Sequence, residues 1–379
     1  MNPKVAVIIV TWNKQDCVIA LLTSLKRLDY DNYDVIVIDN ASTDGSVEAI
    51  KMQFPEVQII CNSENLGGTG GFNSGLRCAV AKEEYRYLWL LDNDVLVDEG
   101  ALRQLVTVLD SDRSIGLAGS AMYDLTQPQR LVEIGNFLNL KRGILWGNKR
   151  FAASSEIDRD VYLVDSVSAC SLCVSVEALK TVGIWDEAFF LYCDDVDWNI
   201  RFKKRGYKIA AVPKSIIWHL PWEFKAGFNS SYYAGRNMLY LMNKHLEGEL
   251  RYLFLPYKQI SLIWFSASLF RRGQRYYSLA VMQSLLDFLD VKMGKCSDET
   301  VRRLTTIAEK APHKEWLTLL GRTAWKNMGT IIRCAVDIVE GKMMTAARTG
   351  LAFVLRHLSE HSRVRLHKSI NDFILSRKR

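Results

Sequence analysis

Two aspartates one residue apart, Asp92 and Asp94, follow directly on the apolar run YLWLL at 87–91. Side chains so placed can share a hard divalent cation, and a hydrophobic run that stops in polar groups is costly unless those groups meet a metal, solvent or each other. Asp39 closes a second apolar run, DVIVI at 34–38, with Asn40, Ser42 and Asp44 close behind it. Its carboxylate could accept from a base N–H or a ribose hydroxyl, while Ser42 or Asp44 caps the helix that follows. Asp194, Asp195 and Asp197 open another helix, three carboxylates where a helix dipole is satisfied by fewer. An aspartate there, beside a bound nucleotide, could serve as a general base with its pKa tuned by neighbouring charge. His219, after the strand-like residues 216–218, is the only histidine before residue 222, and an imidazole beside an aspartate pair is a plausible third metal ligand.

These residues need elements to hold them. VAVIIV at 5–10 is a β-branched run ending in Thr11-Trp12-Asn13, which reads as a buried parallel strand. Residues 14–28 have helical spacing, 34–38 form a second strand, 46–54 a short helix, 57–61 a third strand and 87–91 a fourth. The intervening NLGGTGGFNSG at 65–75, with Asn65 and Gly67 at its start, lacks the Gly-Lys-Ser/Thr of a Walker loop and the last glycine of GxGxxG. Its glycines allow close backbone approach, and the helix start behind it presents N–H groups to anionic or polar ligands. Four strand–loop–helix units in about 110 residues predict an open, doubly wound α/β sheet, whose ligand sits beyond the carboxyl ends of the strands. The polar clusters at 11–13, 39–44 and 92–94 all follow strand ends. Residues 121–160 are less regular. Strand character returns from Val161, and the strand at 207–212 is followed by residues 216–219.

The chain has 379 residues, 49% hydrophobic and 24% charged, which excludes wholesale disorder and predicts two or three domains. Residues 1–222 hold 23 Lys+Arg against 29 Asp+Glu, a charge of −6, whereas residues 223–379 hold 26 against 13, a charge of +13. The basic back half is helical in texture and carries interleaved aromatics, with the boundary expected near 222. No nucleic-acid motif accompanies the charge, so nucleic acid is not the expected partner. An anionic membrane surface and a plain oligomerisation or packing role compete instead, with Arg271, Arg272 and Arg275 beside the apolar LIWFSASLF. The apolar segment 253–270 is interrupted by Pro256, Lys258 and Gln259, and reads as an interfacial or buried helix rather than a membrane span. Eight scattered cysteines read as free thiols in a reducing cytoplasm. Cys170 and Cys173 are expected to pack in the core on opposite faces of a strand. His357 and His361 miss the HExxH order and read as a solvated face.

Taken together, VIIVTWN, VIDNASTDGS, NLGGTGGFNSG, LLDND and GIWDEAFFLYCDDVDWNIRFKKRGY with the later Trp218-His219 resemble the family 2 inverting glycosyltransferases, over roughly residues 5–222. Tyr232-Tyr233-x-x-Arg236-Asn237 adds a likeness to the bacterial cell-surface branch, which includes rhamnosyltransferases and galactofuranosyltransferases. The resemblance implies a GT-A fold, an open and mostly parallel α/β sheet, here with a C-terminal helical domain at 223–379. It implies a UDP- or dTDP-sugar donor, Mn²⁺ or Mg²⁺, and a glycan or lipid-linked acceptor met at the inner face of the cell membrane. Thr11 and Asp39 would border the base and ribose; Asp94 would hold the metal and Asp92 the metal or the ribose; His219 would complete the metal site. Asp195 would be the catalytic base. Apart from the resemblance, Arg236 could reach donor phosphate, because its helix follows His219 closely in the chain. The competing readings are a sugar nucleotidyltransferase, disfavoured because no glycine-rich Arg-Pro-Lys motif opens the chain, and a transferase-like scaffold without turnover.

Overall fold

The computed structural model describes residues 2–153, 156–220, 227–310 and 312–326. It divides into two compact units, Met1–Leu138 with Leu145–Lys225, and Asn139–Ile144 with Ala226–Arg379. The boundary expected near 222 lies among residues 221–226, outside the described residues, as do Cys334, His357 and His361.

The first unit begins β1 (Val5–Thr11), α1 (Gln15–Leu25), β2 (Tyr33–Asp39), α2 (Ser46–Gln53), β3 (Gln58–Cys61), α3 (Gly67–Ala81) and β4 (Tyr87–Asp92). β1 pairs in parallel with β2 and β4, and β2 with β3. Val5 to Ile9 are fully buried, because helices cover both faces of the sheet. Burying each such side chain contributes roughly 1.5–3 kcal/mol, which is why an unbroken β-branched run settles here as a central strand. One apolar cluster gathers α1 and α4 (Ala101–Ser111) on one face; another gathers α3 and α6 (Asp194–Lys204) on the other.

Beyond β4 the sheet is no longer simply wound. β5 (Val95–Val97), β6 (Ile115–Asp124), β7 (Gln127–Glu133), β8 (Asn136–Asn139), β9 (Ile144–Gly147), β10 (Tyr162–Leu163), β11 (Ser171–Ser175), α5 (Val176–Val182) and β12 (Lys208–His219) complete the unit. The order runs β10-β12-β6-β11-β4-β1-β2-β3, with β5 on β12 and β7 on β6, while β8 and β9 form a separate two-stranded sheet. β11 is antiparallel to both neighbours. Within the stretch expected to be irregular, β7, β8 and β9 are short, half-exposed strands, and the described residues from 148 to 160 carry no strand. The two segments expected at 207–212 and 216–219 are one strand, with a register shift between Val212 and Ile216 where Pro213 breaks the ladder. Cys170 and Cys173 are buried in one and the same apolar cluster, not on opposite faces, because Cys170 precedes β11 and escapes its alternation.

The second unit contains α7 (Phe228–His245), α8 (Gly248–Arg271), α9 (Arg275–Leu289), α10 (Asp298–Lys310) and α11 (Pro312–Lys326) around an apolar core that includes Leu239, Met282, Leu285 and Trp316. Pro256 lies inside α8 without ending it. Among the described residues no helix is long and apolar enough to cross a membrane.

Candidate active site

The carboxyl ends of β1, β2 and β4 stop in step. Thr11 is in register with Asp39, and Val10 with Asp92. Asn93 Nδ2 donates to Thr11 Oγ1 at 3.0 Å, tying the loop after β4 to the end of β1. Asp39 is 2% exposed; its Oδ2 accepts from the Ser42 amide at 2.9 Å, and its buried Oδ1 has no hydrogen-bond partner within the protein. A buried carboxylate oxygen left so is costly, and an incoming donor hydrogen would satisfy it. Asp44 performs the capping role, accepting from the Ser46 amide and hydroxyl and from the Gln15 amide.

β12 folds back antiparallel to β5 and sets His219 opposite Val95, next to Asp94. His219 Nε2 stands 3.4 Å from Asp94 Oδ1. Ligand atoms of Asp92, Asp94 and His219 all fall within 4.8 Å of one another. Two carboxylates so close repel, and a shared divalent cation offsets that repulsion; hard oxygens with one imidazole nitrogen suit Mn²⁺ or Mg²⁺.

Asp195, in the first turn of α6, reaches the same rim. Its Oδ2 accepts from the Ala169 amide at 3.3 Å, and the next residue, Cys170, receives the Asp92 amide on its carbonyl. Burial raises the pKa of Asp195 above the ordinary carboxylate range, opposed by the amides of Ala169 and Val196 and reinforced by the charges of Asp92 and Glu133. Asp194 is shifted upward as well, by burial first and Asp195 next. Asp197 is fully buried and paired with Arg201, so the third carboxylate of the cluster holds the helix together.

The glycine run lets α3 pack closely on its neighbours. Asn65 Oδ1 accepts the Gly67 amide, starting α3 inside the run. A Cβ on Gly67, whose φ is +72°, would lie 2.1 Å from the Phe190 carbonyl oxygen; one on Gly71 or Gly75 would strike Val10 or Ile8. The close approach that these glycines permit is therefore helix against strand and helix against the segment before Asp195. Arg236 is held by several groups of its own unit. It is 1% exposed in the second unit, with Nη1 donating to the carbonyls of Gly294 and Lys292 and its guanidinium over the rings of Tyr232 and Tyr233. These contacts tie α7 to the loop that carries Lys292 and Gly294.

Two residues of this neighbourhood were not singled out by the sequence reading. Glu133, at the end of β7, is pushed upward in pKa by burial, accepts from Asn136 Nδ2 at 2.8 Å, and adds its charge to those acting on Asp195. It sits in the irregular stretch, where nothing in the pattern marks it. Thr69, the lone hydroxyl among the first glycines of α3, donates to Asp194 Oδ2 at 2.6 Å. A cavity of about 450 Å³ lies elsewhere, at the opposite end of the strands, lined by Arg86, Tyr87, Arg113, Ile115 and Lys180; it holds none of these residues.

Residues 6–152, which hold VIIVTWN, VIDNASTDGS, NLGGTGGFNSG and LLDND, match the family model for glycosyl transferase family 2. The chain is 25% identical over 272 residues to galactofuranosyltransferase GlfT2 of Mycolicibacterium smegmatis, covering 64% of this chain and 41% of that protein. It is 24% identical to the N-acetylglucosaminyl-diphospho-decaprenol L-rhamnosyltransferase of Mycobacterium tuberculosis, over 58% of this chain and 76% of that one. It spans less than half the length of GlfT2. Among solved structures it is similar in fold to GalNAc-T7 with UDP, GalNAc and Mn²⁺, with a TM-score of 0.54, 15% identity, and coverage of 68% of this chain and 51% of that one. A second is Staphylococcus aureus TarS 1-349 in complex with UDP, with a TM-score of 0.51, 13% identity, and coverage of 98% and 91%. These likenesses show the GT-A fold.

Proposed function

We propose that the first unit, which carries the family 2 domain, transfers a sugar of rhamnose or galactofuranose type from a UDP- or dTDP-linked donor to a hydroxyl of a glycan or lipid-linked acceptor, inverting the anomeric carbon. The observation that carries this reading is the convergence of Asp92, Asp94 and His219 within 4.8 Å at the rim that Asp195 also reaches. Relatives named for galactofuranosyl and rhamnosyl transfer support the sugar class.

Thr11 and Asp39 border the nucleoside, with the buried Asp39 Oδ1 free to accept a base or ribose hydrogen. Asn65 and Gly67 shape the donor side through the start of α3. Asp92, Asp94 and His219 hold Mn²⁺ or Mg²⁺, which when bound neutralises the diphosphate of the departing nucleotide. Asp195 takes the proton of the acceptor hydroxyl while that oxygen bonds to the anomeric carbon and the bond from that carbon to the diphosphate oxygen breaks, the electron pair leaving with the nucleoside diphosphate. A raised pKa suits a base working near neutral pH. The test is hydrolysis and transfer across UDP-, dTDP- and GDP-sugars with and without Mn²⁺. A chain that shows no metal-dependent turnover or nucleotide binding is the scaffold instead.

The second unit, by this reading, meets an anionic membrane surface from the cytoplasmic side, where lipid-linked acceptors are found. Trp264 and Phe265 on α8 are each 47% exposed, and Arg271, Arg272 and Arg275 follow at the junction with α9. Sedimentation with phosphatidylglycerol vesicles, lost in Trp264→Ser/Phe265→Ser, supports membrane contact. Dimers in light scattering without vesicle binding support oligomerisation.

A further inference from the structure

The segment leading into Asp195 is held in an unusual backbone. Phe190, Tyr192 and Cys193 all have φ between 64° and 67°, in the left-handed region that residues with a Cβ adopt only under constraint. One residue on α3 contributes to that constraint at two points. Thr69 is fully buried; its amide donates to the Phe190 carbonyl at 3.2 Å and its hydroxyl to Asp194 Oδ2 at 2.6 Å. A single threonine thus grips the segment at both ends, while Gly67 seats against the Phe190 carbonyl too closely for any Cβ. The other oxygen of Asp194, Oδ1, accepts the amide of Asp195 at 3.1 Å. Both oxygens of Asp194 are occupied by protein donors, and the carboxylate is 94% buried, at 6% exposure. Asp194 is spent on tying α3 to the Asp195 backbone rather than on substrate.

We propose that Thr69 is a positioning residue for the base. Through Asp194 and the left-handed segment it fixes where the Asp195 carboxylate points, so the glycine-rich helix and the base move as one body. The inference rests on the reading of Asp195 as base, but it concerns a pair 125 residues apart that no motif joins.

Thr69→Val removes the hydroxyl while keeping the branched shape and the amide; Thr69→Ser restores the hydroxyl. In the full chain, Thr69→Val should lower kcat about 10- to 100-fold, as a misplacement near 1 Å does, with donor KM and metal-dependent UDP affinity unchanged within about twofold. Thr69→Ser should recover most of kcat, which a simple loss of packing volume would not allow. Hydrogen exchange should quicken in the peptide covering 189–197 of Thr69→Val and stay unchanged in peptides from β1 and β4. Unaltered exchange and kcat in Thr69→Val, or a Thr69→Ser variant as impaired as Thr69→Val, would overturn the proposal. If wild type and Asp195→Asn turn over equally, the base assignment fails, and the role of Thr69 fails with it. An active wild type, an inactive Asp195→Asn and a fully active Thr69→Val would sink only the role of Thr69.

Discussion

Gly67→Ala is the substitution whose cost the geometry sets most directly. The new Cβ would meet the Phe190 carbonyl oxygen at 2.1 Å and the Phe190 ring at 2.7 Å, on a backbone with φ of +72°. A left-handed alanine costs roughly 1–2 kcal/mol, and overpacking typically adds about 1–3 kcal/mol, so a loss of about 2–5 kcal/mol is expected. The obstacle is backbone, not a side-chain end that can swing aside. Relief therefore requires α3 or the segment around Phe190 to retreat by roughly 1 Å, a displacement that can cost 10²-fold in rate at a site built on alignment. Phe190 precedes Asp195 by five residues in a segment already left-handed, so the retreat reaches the base. Thermal melting should fall by several degrees, and kcat by about two orders of magnitude, with residual nucleotide binding retained. The pair of assays separates strain from a general loss of fold. A Gly67→Ala chain with wild-type melting and wild-type kcat would refute the close-packing argument.

Asp195→Asn should lose transfer by about 10²–10⁴-fold yet keep metal-dependent nucleotide binding. Because burial raises the Asp195 pKa in the fold, the ionised form is disfavoured there. The metal-free Asn variant should therefore melt higher than wild type at pH 8, and the gain should shrink as pH falls through the raised pKa toward 4; a constant gain would contradict the shift. Asp94→Asn and His219→Ala should each weaken Mn²⁺ binding about tenfold or more, read from the free-ion electron paramagnetic resonance signal, and unchanged titrations would remove either from the site. Arg236→Met should lower the stability of the second unit, by roughly 1–3 kcal/mol for each carbonyl left unpaired, with UDP affinity intact; lost affinity would restore Arg236 to the donor site.

What could be read without coordinates divides along a physical line. A strand buried on both faces must be apolar along its length, so VAVIIV and YLWLL announce themselves, and the first polar residue after each marks a rim position. Thr11, Asp39 and Asp92 were legible for that reason. β7 to β9 were not, because short, half-exposed strands bear no such uniform signature, and Glu133 was lost with them. The approach of His219 to Asp94 depends on β12 pairing with β5 across 124 residues of separation between His219 and Val95, which no local pattern encodes; ligand chemistry and the family resemblance suggested the partnership without supplying its geometry. The glycines of α3 were visible as a request for closeness, but their partners, Phe190, Val10 and Ile8, belong to tertiary structure.

The same line runs through Arg236. A positive charge beside tyrosines reads equally as an anion ligand or as a buried cation satisfied by carbonyls and ring faces, and sequence supplies neither the depth nor the acceptors that decide between them. At 1% exposure, with Gly294 and Lys292 as acceptors, desolvation makes release of the guanidinium toward a phosphate expensive. Asp39 is the opposite case. It is nearly as buried, yet one oxygen lacks a donor within the protein. Two buried charges of similar depth thus differ in satisfaction, and it is the unsatisfied one, at the end of a central parallel strand, that has binding energy left to give a ligand.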